Sequence, residues 1–247
     1  MGLLTKSKHR KTPTEVFHSN HYLRHTARRL EHLASLGLDL VNKRVFEPGA
    51  GIGDHTQFYL DRGCSVHASE PREENLSVMR ERFAGDNRVT LEAIDLENPP
   101  AGSPSGYDIV HCYGLLYHLS DPTEAIRYLA GCAGEMMLVE LCVSFGENEA
   151  LNTVEETQAH ASQAVSGYGC RPTRPWVEAR LREHFEHVYY PLTQPAHPEF
   201  PLDWDSTPPS ASDENKKALS RAVFVASRGS IDNSLLTPER PRTQRLV

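Results

Sequence analysis

Apolar positions along this chain change period several times, and each change marks an element. Leu23, Ala27, Leu30 and Ala34 recur at helical spacing and Gly37 follows as a stop, which predicts an N-terminal helix over about 20–36. Beyond it, short apolar runs alternate with helical ones. Arg44 to Glu47 reads as a strand, Asp54 to Arg62 as a helix closed by Gly63, and Ser65 to Ser69 as a second strand. Glu73 to Phe83 is a helix with Leu76, Met79 and Phe83 on one face, and Val89 to Ile94 and Tyr107 to Tyr113 are the third and fourth strands. Asp121 as cap, Pro122 in the first turn and Glu124 three residues after the cap announce the next helix. Gly134 to Val143 makes a fifth strand. Val177, Leu181 and Phe185 share a helical face, and Val188 to Tyr190 and Ala222 to Ala226 are the last strands.

Strand and helix in alternation mean parallel strands joined by crossover helices. The fold class is α/β: a doubly wound, mostly parallel seven-stranded sheet of Rossmann-like type, with an N-terminal helix and irregular insertions. No helical stretch separates the last two strands, so one of them is expected to run antiparallel. Two connections, 144–175 and 191–217, break the alternation, and long connections inside a compact domain tend to carry function. The expected organisation is a basic flexible start over 1–19, a single domain over 20–229, and a flexible tail over 230–247.

Composition narrows the partners. The apolar share is 38% and the charged share 24%, enough for a real core. Net charge is −7, and the basic residues Lys6, Lys8, Arg10 and Lys11 sit together at the start, so the body is more acidic than the whole. That disfavours a groove for nucleic acid, which needs Lys and Arg against phosphates. The most apolar stretch, Met136 to Val143, contains Glu140 and falls far short of the ~20 residues of a membrane span. Cys64, Cys112, Cys132, Cys142 and Cys170 are scattered, odd in number and form no CxxC, so they read as reduced thiols of a cytoplasmic protein. His18, His21, His25 and His32 fall close to one helical face, and His21 and His25 have a spacing that a metal could use. Tyr22 stands where a zincin has Glu, so no metal site is expected, and a solvated or substrate-covering face is preferred.

The chemistry concentrates after the first strand. Glu47-Pro48-Gly49-Ala50-Gly51-Ile52-Gly53 lies between a strand and a helix, where glycines let a ligand approach the backbone and the helix start. The spacing is GxGxG, not the GxGxxG of a dinucleotide fold. Glu47 is unfavourable beside a pyrophosphate and favourable beside an ammonium group, which argues for a cationic ligand. Glu70 ends the second strand, where a carboxylate can accept hydrogen bonds from both hydroxyls of a ribose. Asp95 follows the third strand and could accept from an adenine amino group while Leu96 covers the ring.

The glycine turn resembles motif I of the class I methyltransferases, and Glu70 resembles the acid of their second motif. Tyr107-Asp108-Ile109-Val110-His111-Cys112-Tyr113-Gly114-Leu115-Leu116-Tyr117-His118-Leu119-Ser120-Asp121-Pro122 is similar to their fourth-strand motif and the loop beyond it. The resemblance covers about residues 43–143. It implies S-adenosylmethionine as cofactor, held by Glu47, Gly49, Gly51, Gly53, Glu70, Asp95, Leu96, Tyr113 and Gly114. It also implies His118 as a candidate general base, as in related sugar and quinone O-methyltransferases; Glu140, near the end of the neighbouring fifth strand, could orient it. The expected function is methyl transfer to a small-molecule or glycan acceptor at oxygen, with Tyr168, Trp176 and Trp204 as candidate stacking residues and a homodimer allowed for. Two alternatives stay open: an RNA (tRNA)-modifying transferase, since Gly114-Leu115-Leu116-Tyr117-His118 also resembles a group that acts on the tRNA wobble uridine, and a non-catalytic protein that binds the cofactor. The first connection and the N-terminal helix are expected to close over the acceptor.

Overall fold

The computed structural model describes residues 11–157, 162–206 and 220–247. The expected flexible start is helical from Pro13, because Thr12 and Glu15 form a reciprocal capping box at α1 (Pro13–Phe17). Lys6, Lys8 and Arg10 lie outside the described residues, as does the stretch 207–217 of the second connection. Helix α2 (Asn20–Ser35) follows, capped by Ser19. Then come β1 (Arg44–Pro48), α3 (Asp54–Leu60), β2 (Ser65–Ser69), α4 (Glu73–Arg82), β3 (Val89–Glu92), β4 (Tyr107–Tyr113), α5 (Thr123–Cys132) and β5 (Ala133–Val143). The start of α5 differs from the expected capping box. Asp121 accepts from the amide and hydroxyl of Thr123, and Glu124 pairs with Arg127 instead of reaching back.

The rest of the chain holds more strand than its pattern suggests: β6 (Leu151–Glu155), β7 (Tyr168–Pro172), α6 (Arg174–Arg182), β8 (His187–Pro191), β9 (Thr193–Gln194), β10 (Ser220–Ser227), β11 (Leu236–Thr237) and β12 (Arg245–Leu246). The main sheet has the order β11-β8-β10-β5-β4-β1-β2-β3. Its inner strands are parallel, and β10 runs antiparallel to both β5 and β8, as the missing crossover helix implies. The sheet has eight strands where seven are expected, because Leu236 and Thr237 pair with Pro191 and Tyr190. The segment expected as a free tail is therefore tied down. β12 pairs with β9, and the Asn233 side chain donates to the Leu36 carbonyl at 2.7 Å. The first connection, expected to be irregular, contains the antiparallel β6–β7 hairpin.

The central strands are buried on both faces, and strand period two sorts their residues. Phe46, Val110 and Val139 pack with α5 and α6 in one apolar cluster; Val45, Ile109 and Leu138 pack with α2, α3 and α4 in the other. Strand order reverses between β1 and β4. That switch point opens a crevice beyond the carboxyl ends of the strands, where open α/β sheets bind ligands. Among the described residues, no helix is long and apolar enough to cross a membrane.

Candidate active site

A cleft enclosing roughly 1180 Å³, its open mouth included, lies at this switch point. Glu47, Gly49, Gly51, Glu70, Asp95, Leu96, Tyr113, Gly114 and His118 all line it. Gly53 and Glu140 do not.

The glycine turn after β1 forms one end. Gly51 has φ 59°, a left-handed conformation that favours glycine, and its amide donates to Glu70 Oε2 at 3.0 Å. A Cβ there would stand 3.0 Å from the ring of Phe17, so α1 lies directly over the turn. Gly53 starts α3 instead of facing the cleft; a Cβ on it would collide with Phe83. Glu47 is buried and accepts from the Thr56 hydroxyl at 2.6 Å, and burial pushes its carboxyl up to about 8. Burial also raises Glu70, to about 7, against the amides of Arg72 and Gly51 and the side chain of Asn75, which favour its ionised form. Asp95 lies past the end of β3, more exposed than the other acids, while Leu96 is buried. The Tyr113 hydroxyl and His55 Nε2 are buried without hydrogen-bond partners. This cradle of glycine backbone, acids and spare polar atoms suits a ligand that carries both cationic and hydrogen-bonding groups.

The other end is built from residues far apart in sequence. His118 closes a 3₁₀ turn after β4, and its Nδ1 lies 2.5 Å from Glu156 Oε2. Glu156 follows β6, and its side chain is only 3% exposed. Burial alone would raise its carboxyl, but His118, the Ala164 amide and Arg171 hold it below the usual range. Burial lowers His118, opposed by Glu156, so the ring is neutral at pH 7. A neutral ring that donates Nδ1–H to an ionised carboxylate leaves Nε2 free to take a proton. Glu140 was expected in this orienting role and does not fill it. Arg29 of α2 and Arg221 of β10 occupy its two oxygens at 3.0 and 2.9 Å, and Arg221 also donates to the Tyr117 hydroxyl at 3.0 Å. Burial opposes ionisation of Glu140, yet the two guanidiniums hold it below the usual carboxylate range.

The wall above these groups comes from α1, α2 and the first connection. Phe17, Tyr22, His25 and Arg29 face residues 162–166 across the cleft, and the Tyr22 hydroxyl donates to Ser162 Oγ at 2.6 Å. The candidate stacking residues are elsewhere. Trp176 and Trp204 are packed in the core, Trp204 under Arg174, and Tyr168 is exposed on β7; none lines the cleft. The four histidines of the helical face divide: His25 and His32 are buried, whereas His18 and His21 are accessible. Glu156, Arg29 and Arg221 carry no local sequence signal, since their partners come from distant elements.

Residues 46–134 match the model of a methyltransferase domain. A ubiquinone biosynthesis O-methyltransferase of Bordetella pertussis is 30% identical over 95 residues, 38% of this chain and 39% of that protein. The Stutzerimonas stutzeri protein of the same name is 30% identical over 94 residues, 38% and 40% of the two chains. The chain thus spans about two fifths of the length of the curated relatives it matches. Among solved structures, the N-terminal domain of EvdMO1 with SAH bound gives a TM-score of 0.60 at 19% identity, covering 85% of this chain and 84% of that one. An S-adenosylmethionine-dependent methyltransferase from Mesorhizobium loti gives 0.58 at 15%, covering 83% and 100%. The fold is that of the class I S-adenosylmethionine-dependent methyltransferases. The segment that matches the methyltransferase-domain model, 46–134, runs from β1 to the first residues of β5.

Proposed function

We propose that the protein is an S-adenosylmethionine-dependent methyltransferase that acts on an oxygen of a small-molecule or glycan acceptor, with His118 as general base. The observation that carries this reading is a single cleft that joins the Gly49–Gly51 turn and Glu70 to His118, itself paired with the buried Glu156. Bound S-adenosylmethionine supplies an electrophilic methyl group. In this reading Glu70 would accept from its ribose hydroxyls, Asp95 and Leu96 would flank its adenine, and Glu47, Tyr113 and Gly114 would meet its amino-acid end. His118 takes the proton of an acceptor hydroxyl at Nε2 while Glu156 fixes the ring and stabilises its cationic form. Tyr22, Arg29 and residues 162–166 cover the cleft, which keeps water from the reacting oxygen.

The matched relatives are called O-methyltransferases, which supports oxygen as the acceptor atom. The test is incubation with methyl-labelled S-adenosylmethionine and a panel of phenols, catechols and sugars, followed by a small-molecule cell extract. Label in an O-methyl product, absent with His118→Ala, supports the reading. Label confined to RNA, or no transfer by protein that binds the cofactor, overturns it.

A further inference from the structure

Beside the cleft, His25 of α2 comes together with His197 and Glu199 of the connection after β9. We propose that these three residues form a binding site for a divalent transition-metal ion of the zinc type. One ligand atom from each lies within 4.8 Å of the other two. Bonds of about 2.0–2.2 Å place tetrahedral ligand atoms roughly 3.4 Å apart, so the widest pair must close by up to about 1.4 Å. Two imidazoles and a carboxylate are the donor set that zinc and its neighbours prefer, and three protein ligands leave a coordination position open.

The state of His25 is the second observation. It is 3% exposed, and its Nε2 makes no hydrogen bond although Glu199 Oε2 lies 3.4 Å away. Buried ring nitrogens are normally satisfied. The carboxylate is already oriented: Arg221 donates from Nε to Glu199 Oε2 at 2.6 Å, the kind of outer contact that fixes a metal ligand. The two nearby guanidiniums oppose a cation, but both share Glu140 as counter-charge. An ion here would pin α2, which brings Tyr22 and Arg29 to the cleft, against the connection that carries His197 and Glu199. The i, i+4 partner His21 is outside the set. Its side chain is 64% exposed, and its Nε2 lies 3.8 Å from Glu199 Oε1.

The test uses the full chain after treatment with a chelator, titrated with Zn²⁺ by calorimetry and with Co²⁺ by visible absorption. The expected result is one saturable site with the ligand-field bands of nitrogen and oxygen coordination. His197→Ala should weaken binding by about 100-fold or more and abolish the bands, whereas His21→Ala should change affinity by less than about threefold. His25→Asn is the second variant, and circular dichroism checks that each is folded. Absence of a saturable site in the wild-type chain overturns the proposal. So does binding that His197→Ala leaves intact, or that His21→Ala weakens as much as His197→Ala does.

Discussion

The two ends of the cleft hold buried acids in opposite electrostatic states. At the glycine turn, Glu47 rests against a hydroxyl and Glu70 against backbone amides, and burial raises them to about 8 and about 7. Behind the cleft wall at the His118 end, Glu140 is clasped by Arg29 and Arg221, and Glu156 by His118 and Arg171; both stay below the usual carboxylate range. One end is charge-balanced before any ligand arrives. At the other, burial favours protonated acids that ionise more readily with a cation beside them, which suits a sulfonium and ammonium donor there and a neutral acceptor opposite.

The sharpest way to break this comparison is to remove a paired acid. Glu140→Ala leaves two guanidiniums in a buried site without their shared counter-charge, and should cost ~3–5 kcal/mol in urea unfolding. Glu47→Gln replaces a carboxyl that is already mostly neutral at pH 7, and its cost should stay within ~1 kcal/mol. Equal losses would erase the distinction between the ends.

Function should divide along the same line. His118→Ala is expected to lower turnover by ~10²–10⁴ while cofactor affinity holds. Glu156 raises the proton affinity of His118, so Glu156→Gln should move the acid limb of the pH–rate profile to lower pH and reduce the plateau. An unmoved limb would remove Glu156 from its positioning role. Glu70→Ala should weaken cofactor binding by about tenfold or more and leave the acceptor end intact, since it deletes charge-assisted hydrogen bonds of ~1.5–3 kcal/mol each. Calorimetry on the variant checks this.

The same contrast should show in stability against pH. Both glycine-end acids have folded values above their unfolded ones, so their contribution is full below the unfolded value and is lost as pH rises through about 7 and about 8. Thermal melts of the ligand-free protein should therefore fall from about pH 6 to 9 on this account, and saturating cofactor should flatten the fall. A ligand-free melt that rises over this range would contradict the state assigned to these acids.

The same division explains what the chain discloses when read alone. Glu47, Gly49, Gly51 and Glu70 sit within one strand–turn–helix–strand unit, so spacing alone brings them together. The parallel strands also follow from local period, since each is a short apolar run between helices. The partner of His118 does not. Glu140 looks right because β5 neighbours β4, but its oxygens are taken by Arg29 and Arg221, which arrive from opposite ends of the chain. Glu156 reaches His118 only because the β6–β7 hairpin folds back, and that hairpin has mixed burial and no clean alternation. Likewise Phe17 over Gly51, and β11 beside β8, are contacts between remote segments that period and propensity do not encode.

Calorimetry of S-adenosylmethionine binding at pH 7, in buffers of different protonation enthalpy, tests the central claim most directly. Glu47, raised to about 8, is largely protonated there, and a cation beside it favours its ionised form. The account predicts net proton release on binding, smaller with S-adenosylhomocysteine, which lacks the sulfonium charge, and largely abolished in Glu47→Gln. No binding, or binding whose heat is the same in every buffer, would contradict it.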